Sequence, residues 1–389
     1  METVLYIHIP YCFSKCDYCD FFSVPCGKKN IPDEYIKALL NEITFRMQKN
    51  DISSFSSVYI GGGTPSLLSC RQIKTISDFI SKKTIKPLKE FTIEANPDDL
   101  SEDLLSCLKD TIINRLSVGI QALDENVLKF VHRRSSLETV LYTLDLLFKK
   151  WDRILSTDII AALPNQTEKT FLQGLSTLVE YKMQHISMYS LTVEEETVLG
   201  KKYSTGALNY DFDAADSLWL SGKEFLKEKG YEQYEVSNFA QPGYECIHNM
   251  AYWELKDYLG CGSGATGTLY GKKSVRFTNT KNISEYINFW NRDDFMNSSE
   301  LLIPGEREEI LPEVEKFEFF MMGLRTLKGV SISDFETRFS EPVKADFLSV
   351  MKKWESQKKA YFYKIGGKSY FSLGKEGILF LNEFLREII

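Results

Sequence analysis

Residues 11–22 read YCFSKCDYCDFF, and the three cysteines in them, Cys12, Cys16 and Cys19, are spaced C-x3-C-x2-C. A structural zinc closes its tetrahedron with four protein ligands. Here three lie together, and the nearest histidine, His8, falls inside a strand-like run and need not face the loop. A 4Fe–4S cubane is normally held by four thiolates, so three would leave one iron open to a chelating small molecule. The spacing alone admits both metals.

Outward from this loop, strand-like runs rich in β-branched and aromatic residues recur at 3–9, 56–62, 91–96, 114–120, 155–163 and 185–191. Amphipathic helical stretches, such as 32–48 and 167–182, lie between most of them. Six β/α units in series predict a parallel sheet with right-handed crossovers, either open or closed into a full or partial barrel. Chemistry in such folds gathers where strands end and helices begin. The unusual residues fall near those ends: Cys12 after the first run, GGGTP (61–65) after the second, Glu94, Gln121 and Asp158 later. Residues 230–270 alternate polar, aromatic and glycine residues without a helical period, which predicts strands and ordered loops. From about 280 the pattern turns helical and charged, then closes on a hairpin-like stretch (360–373) and a helix, resembling a winged helix.

The 389-residue chain carries a net charge of -7, too acidic for nucleic acid as its main partner. No stretch approaches the roughly 18 uninterrupted apolar residues of a membrane span. Three of the eight cysteines cluster and five scatter. That distribution predicts a reduced, cytoplasmic protein with one cysteine-based metal site.

With Tyr18 preceding its last cysteine, the loop resembles the signature of radical S-adenosylmethionine (SAM) proteins. That resemblance implies a 4Fe–4S cluster on Cys12, Cys16 and Cys19, with the methionyl amino and carboxylate groups of SAM on the fourth iron. One-electron reduction then cleaves SAM to a 5′-deoxyadenosyl radical. The implied fold is a partial (β/α)6 barrel, here with a smaller helical, winged-helix-like C-terminal domain. GGGTP is similar to the SAM-binding glycine loop of the coproporphyrinogen-oxidase-like branch. Tyr6, Tyr18, Gly62, Gly63, Thr64, Glu94, Gln121, Arg133 and Asp158 match positions that contact SAM there. One departure is VHRRSS (131–136), which has His132 where the family usually has glycine.

Within that branch, the oxygen-independent coproporphyrinogen oxidases carry a further cysteine two residues beyond the third, where this chain has Phe21. The HemW heme-chaperone family is the better match. Its H-N-x-x-Y-W motif stands here as HNMAYW (248–253), flanked by YEVSNFAQPG and YLGCGSGA, with MMGLRTLKGV further on. The resemblance implies heme as a third cofactor, with His248 as an iron ligand and Tyr252 and Trp253 beside the porphyrin. A neutral imidazole is a common axial ligand, although a lone histidine is more often structural.

Two functions follow. A chaperone would bind heme and pass it to an acceptor protein, a respiratory protein being one candidate. An enzyme would abstract hydrogen from a coproporphyrinogen propionate and decarboxylate it. Phe21 and HNMAYW favour the chaperone. The expected divisions are 1–230 for the barrel, 231–280 for an extension bearing HNMAYW, and 281–389 for the C-terminal domain.

Overall fold

The structure, a computed structural model, describes residues 3–27, 30–84, 87–271 and 273–388. Six strands build the centre: β1 (Thr3–Ile9), β2 (Phe55–Gly62), β3 (Glu90–Ala95), β4 (Arg115–Gln121), β5 (Ile154–Ala161) and β6 (His185–Ser190). They lie side by side in chain order, each parallel to the next. Helices Asp33–Lys49, Cys70–Lys83, Glu102–Lys109, Leu137–Lys150 and Glu168–Glu180 supply the crossovers. Local chemistry starts them on cue: Ser69, Ser101, Ser136 and Thr167 each accept a backbone N–H of the first turn. Ser69 and Gln72 complete a reciprocal capping box. The strands expected from sequence are all present, with ends shifted by a residue or two.

The sheet then extends at both edges with β7 (Glu232–Gln233), β8 (Asn238–Ala240), β9 (Tyr258–Cys261), β10 (Thr266–Leu269), β11 (Ser274–Asn279) and β12 (Gly305–Ile310). The full order is β12-β11-β10-β9-β1-β2-β3-β4-β5-β6-β8-β7. β9 joins β1 in parallel, and β8 closes against β6 antiparallel. This is the parallel-dominated α/β partial barrel expected from the sequence.

Two expectations need correction. HNMAYW was expected among strands and loops, yet Ile247–Trp253 is a helix. Its first N–H groups are held by the Glu90 carboxylate, which accepts from Ile247 N at 3.1 Å and His248 N at 3.0 Å. A seven-residue helix is too short to display a period, and its cap comes from β3. The second is β12, a strand within the stretch after 280 that reads as helical.

A second hydrophobic cluster gathers Phe320, Leu324, Phe335, Met351, Trp354, Phe371 and Phe384. It packs helices Pro312–Gly323, Ile332–Phe339, Ala345–Ser356 and Leu381–Glu387 on a three-stranded sheet. The hairpin Tyr361–Ile365/Lys368–Ser372 turns through Gly366 and Gly367, at φ of 56° and 82°. Two positive φ values in a row are what a two-residue turn between twisted strands requires.

Candidate functional site

A cavity of about 400 Å³ opens at the carboxyl ends of the central strands and runs down inside the sheet. Cys12, Cys16, Cys19, Tyr18, Gly62, Gly63, Thr64, Glu94, Gln121, Arg133 and Asp158 all line it. Residues up to 146 positions apart in the sequence thus share one space, because parallel strands deliver their ends to the same rim.

The cysteine loop is tied down on three sides. Tyr11–Cys12 pairs in parallel with Val24–Pro25, and Cys26 N donates to Cys12 O at 2.8 Å. Asp17, buried, receives Lys202 Nζ at 2.7 Å and His132 Nδ1 at 3.0 Å. Leu199 N also donates to Asp17 O, and Asp17 N to Val131 O. His132 takes φ 51°, the left-handed conformation that glycine adopts freely. Its side chain then reaches Asp17, so the departure from the family pattern keeps the backbone shape and adds a contact.

Arg133 NH1 donates to Cys16 Sγ at 3.6 Å, and its other end bonds Asn96 Oδ1 and Gly119 O. Burial pushes the Cys19 thiol up. A bound cation would reverse that, since a metal holds its thiolates deprotonated. Among the described residues, no three or more His, Cys, Asp or Glu side chains converge as a single-ion site would. Three thiols lining one rim are a donor set that a 4Fe–4S cluster can take, with separate irons on separate thiolates and one iron left over. The Tyr18 hydroxyl and Arg133 Nε beside them are buried without a hydrogen-bond partner, which leaves polar capacity facing the cavity for a ligand.

The glycines of the loop line the cavity and also serve packing. A Cβ on Gly62 would meet the His8 ring at 2.5 Å, and one on Gly63 would meet Tyr11 O at 2.4 Å. Gly62 also sits at φ 113°. The glycines therefore let this loop pack against β1 and the cysteine loop, where Gly63 N and Thr64 N donate to Ile9 O and Tyr11 O. Glu94 holds the same turn, accepting from Gly62 N at 3.1 Å and Tyr59 Oη at 2.9 Å. Burial, then the nearby Asp158, raise the Glu94 carboxyl to about 7. Burial raises Asp158 to about 6, against hydrogen bonds from Ser187 and Ser117.

Four expected residues lie outside the cavity lining. Tyr6 stands behind it, stacked on Tyr59 and bonded to His8 Nδ1 at 2.9 Å. His248 is buried near the start of β2, with Nδ1 at 2.9 Å from Ser57 Oγ and Nε2 at 2.9 Å from Tyr252 Oη. Burial lowers its imidazole to about 3, so it is neutral. Both ring nitrogens are thus engaged by hydroxyls in this conformation, with none turned to an iron. Tyr252 and Trp253 part company: Tyr252 turns into the barrel beside His248, while Trp253 lines a separate groove. Consecutive helical residues point about 100° apart, so they cannot share one porphyrin face.

The sequence reading missed the cavity's lower wall. Ser117, Ser156, His185, Ser187 and Asn249 line it, with Thr92 Oγ1 and His185 Nδ1 lacking partners. The signal was a period of two: Ser117, Gly119 and Gln121 on β4, Ser156 and Asp158 on β5, His185 and Ser187 on β6.

Residues 6–178 match the radical SAM superfamily, and residues 310–359 match the HemN C-terminal domain. Heme chaperone HemW of Buchnera aphidicola (Schizaphis graminum) is 35% identical over 98% of this chain and 97% of its own length. The Escherichia coli heme chaperone HemW is 32% identical over 98% and 96%. The chain belongs to the HemW family. The Lactococcus lactis HemW is 34% identical over 86% of this chain and 84% of its own. Coproporphyrinogen III oxidase (HemN) from Escherichia coli superposes with a TM-score of 0.80 at 20% identity, covering 99% of this chain and 90% of that one. That likeness places the fold. The position where the oxidases have their extra cysteine is Phe21, 71% exposed at the cavity mouth. No helix among the described residues is long and apolar enough to cross a membrane.

Proposed function

We propose that this protein binds heme and hands it to an acceptor protein, on a radical SAM scaffold that carries a 4Fe–4S cluster and exchangeable SAM. The observation that carries this reading is near full-length similarity to proteins named heme chaperones, through the barrel, HNMAYW and the C-terminal unit together. Cys12, Cys16 and Cys19 would hold the cluster, leaving one iron for the methionyl group of SAM. Bound there, the pair supplies one-electron chemistry. Around it, Arg133 places positive charge beside Cys16, Glu94 fixes the glycine turn, and Asp158 and Gln121 present polar atoms at the cavity wall.

Glu94 and Asp158 face the same cavity, where burial disfavours their ionised forms and a hydrogen-bond donor or a cation would favour them. A ligand with ribose hydroxyls and a sulfonium meets both needs. His248 anchors its helix to β2 through Ser57 and braces Tyr252 from the same face, which holds the HNMAYW helix against the barrel. The acceptor is a heme-requiring protein, a respiratory protein being one candidate.

The test is anaerobic reconstitution followed by incubation with coproporphyrinogen III, SAM and a reductant. A chaperone leaves the porphyrinogen undecarboxylated and delivers heme to an apo-cytochrome. SAM-dependent formation of protoporphyrinogen would overturn the chaperone reading in favour of the oxidase.

A further inference from the structure

We infer that heme sits in the groove between helix Ile247–Trp253 and the C-terminal unit, with the Met250 thioether as an iron ligand. The inference rests on the heme-binding reading and gives that ligand a place outside the barrel.

The helix divides its faces. His248 and Tyr252, four residues apart, turn inward and bond each other. Met250 and Trp253, three apart, turn outward and line a groove of about 510 Å³. Pockets for cofactor-sized ligands run from about 300 to 1,000 Å³. Phe319 and Tyr370 add aromatic surface to the same lining. The barrel side offers no comparable seat, because both His248 nitrogens are taken and the cavity above is lined by the cluster and SAM residues.

Charge in the groove suits a carboxylate. Its lining includes four basic side chains, Lys256, Lys328, Lys368 and Arg338, against two carboxylates, Glu254 and Asp334. The whole chain carries -7, so this excess of positive charge runs against the protein's balance. Glu254 alone faces two lysines, Lys256 at 2.9 Å and Lys328 at 3.7 Å. Arg338 is paired with Glu315 at 2.9 Å and Lys368 with Asp334 at 2.6 Å, so the groove keeps a net positive charge of one, which a propionate entering here would meet. Trp253 Nε1 is buried at this groove without a hydrogen-bond partner, a donor that a carboxylate can take up. Thioether sulfur is an established heme ligand, and a flexible methionine can reach an iron over a range of heights. Heme in this groove and SAM in the barrel would bind at the same time, on opposite sides of one short helix.

The experiment is a heme titration of the full-length, cluster-reconstituted protein and two variants, followed by Soret absorbance and magnetic circular dichroism. Met250→Leu conserves volume and should keep the fold. It is expected to bind cluster and SAM as wild type, while its heme spectrum loses the thioether-ligand signature. Lys256→Glu/Lys328→Glu should weaken heme binding at least tenfold, with the deficit against wild type shrinking in high salt. An unchanged heme spectrum in Met250→Leu overturns the ligand assignment. Wild-type affinity in the double lysine variant overturns the groove. If wild-type protein shows no saturable heme band at all, the heme-binding reading falls, and this inference falls with it.

Discussion

Arg133 donates to the Cys16 sulfur at 3.6 Å while its other terminal nitrogen holds Asn96 and the Gly119 carbonyl. One side chain thereby links the cysteine loop to the ends of β3 and β4. Replacing it by methionine removes the charge beside Cys16 and leaves buried acceptors unpaired, at a cost of about 1–3 kcal/mol each at most. Arg133→Met should reduce SAM affinity and lower thermal stability. Calorimetric SAM titration of the reconstituted variant checks it, and wild-type affinity would detach Arg133 from the cofactor site.

Alanine at Cys12, Cys16 or Cys19 should each abolish the broad absorption near roughly 400 nm expected of a 4Fe–4S protein. Cys26→Ala should leave that absorption intact, since Cys26 is absent from the cavity lining. Iron and sulfide analysis after reconstitution decides it. A triple alanine variant that still assembles a cluster would move the ligands to the remaining cysteines.

Gly62→Val should act on folding before it acts on SAM. The position combines φ 113° with a Cβ 2.5 Å from the His8 ring. Backbone strain of this kind costs roughly 1–3 kcal/mol, and the steric clash adds to it. Thermal unfolding of the apoprotein should show the loss. A variant with wild-type stability and selectively weakened SAM binding would assign the glycine to clearing space for the ligand instead.

Asp17→Ala should speed cluster loss to a chelator, because it releases Lys202 and His132 from the cysteine loop. His132→Gly should be milder, since glycine takes φ 51° without strain while forfeiting only the contact that a largely exposed imidazole makes to Asp17. Equal chelation rates in wild type and Asp17→Ala would show that the strap does not hold the loop.

Glu94 gives a pH signature. Its folded carboxyl lies at about 7, raised chiefly by burial above an ordinary value of 4.5. Below 4.5 both folded and unfolded states are protonated and the group is neutral to stability. As pH rises toward 7 the unfolded state ionises first, so apoprotein stability is lost across that window. Glu94→Gln removes the group, and its stability relative to wild type should climb between pH 4.5 and 7. Denaturant unfolding at several pH values measures this, and a flat difference would place the Glu94 carboxyl near its ordinary value.

The barrel and the cysteine loop were legible because their signals are local: period two against period 3.6, and three cysteines within eight residues. The helix Ile247–Trp253 was not, because Glu90, which caps it, lies 157 residues away from Ile247. For the same reason the motif HNMAYW suggested one aromatic wall, whereas the helix sends Tyr252 and Trp253 to different sides. The polar lower cavity, from Ser117 to His185, alternates with residues buried on the other face. That alternation carries no label for which face encloses a space.

The most direct test is a heme titration of the anaerobically reconstituted wild-type protein, read at the Soret band with the cluster and SAM in place. Heme chaperone function predicts a saturable band at one heme per chain, with SAM binding retained. Absence of a saturable band, with cluster and SAM bound normally, would contradict it.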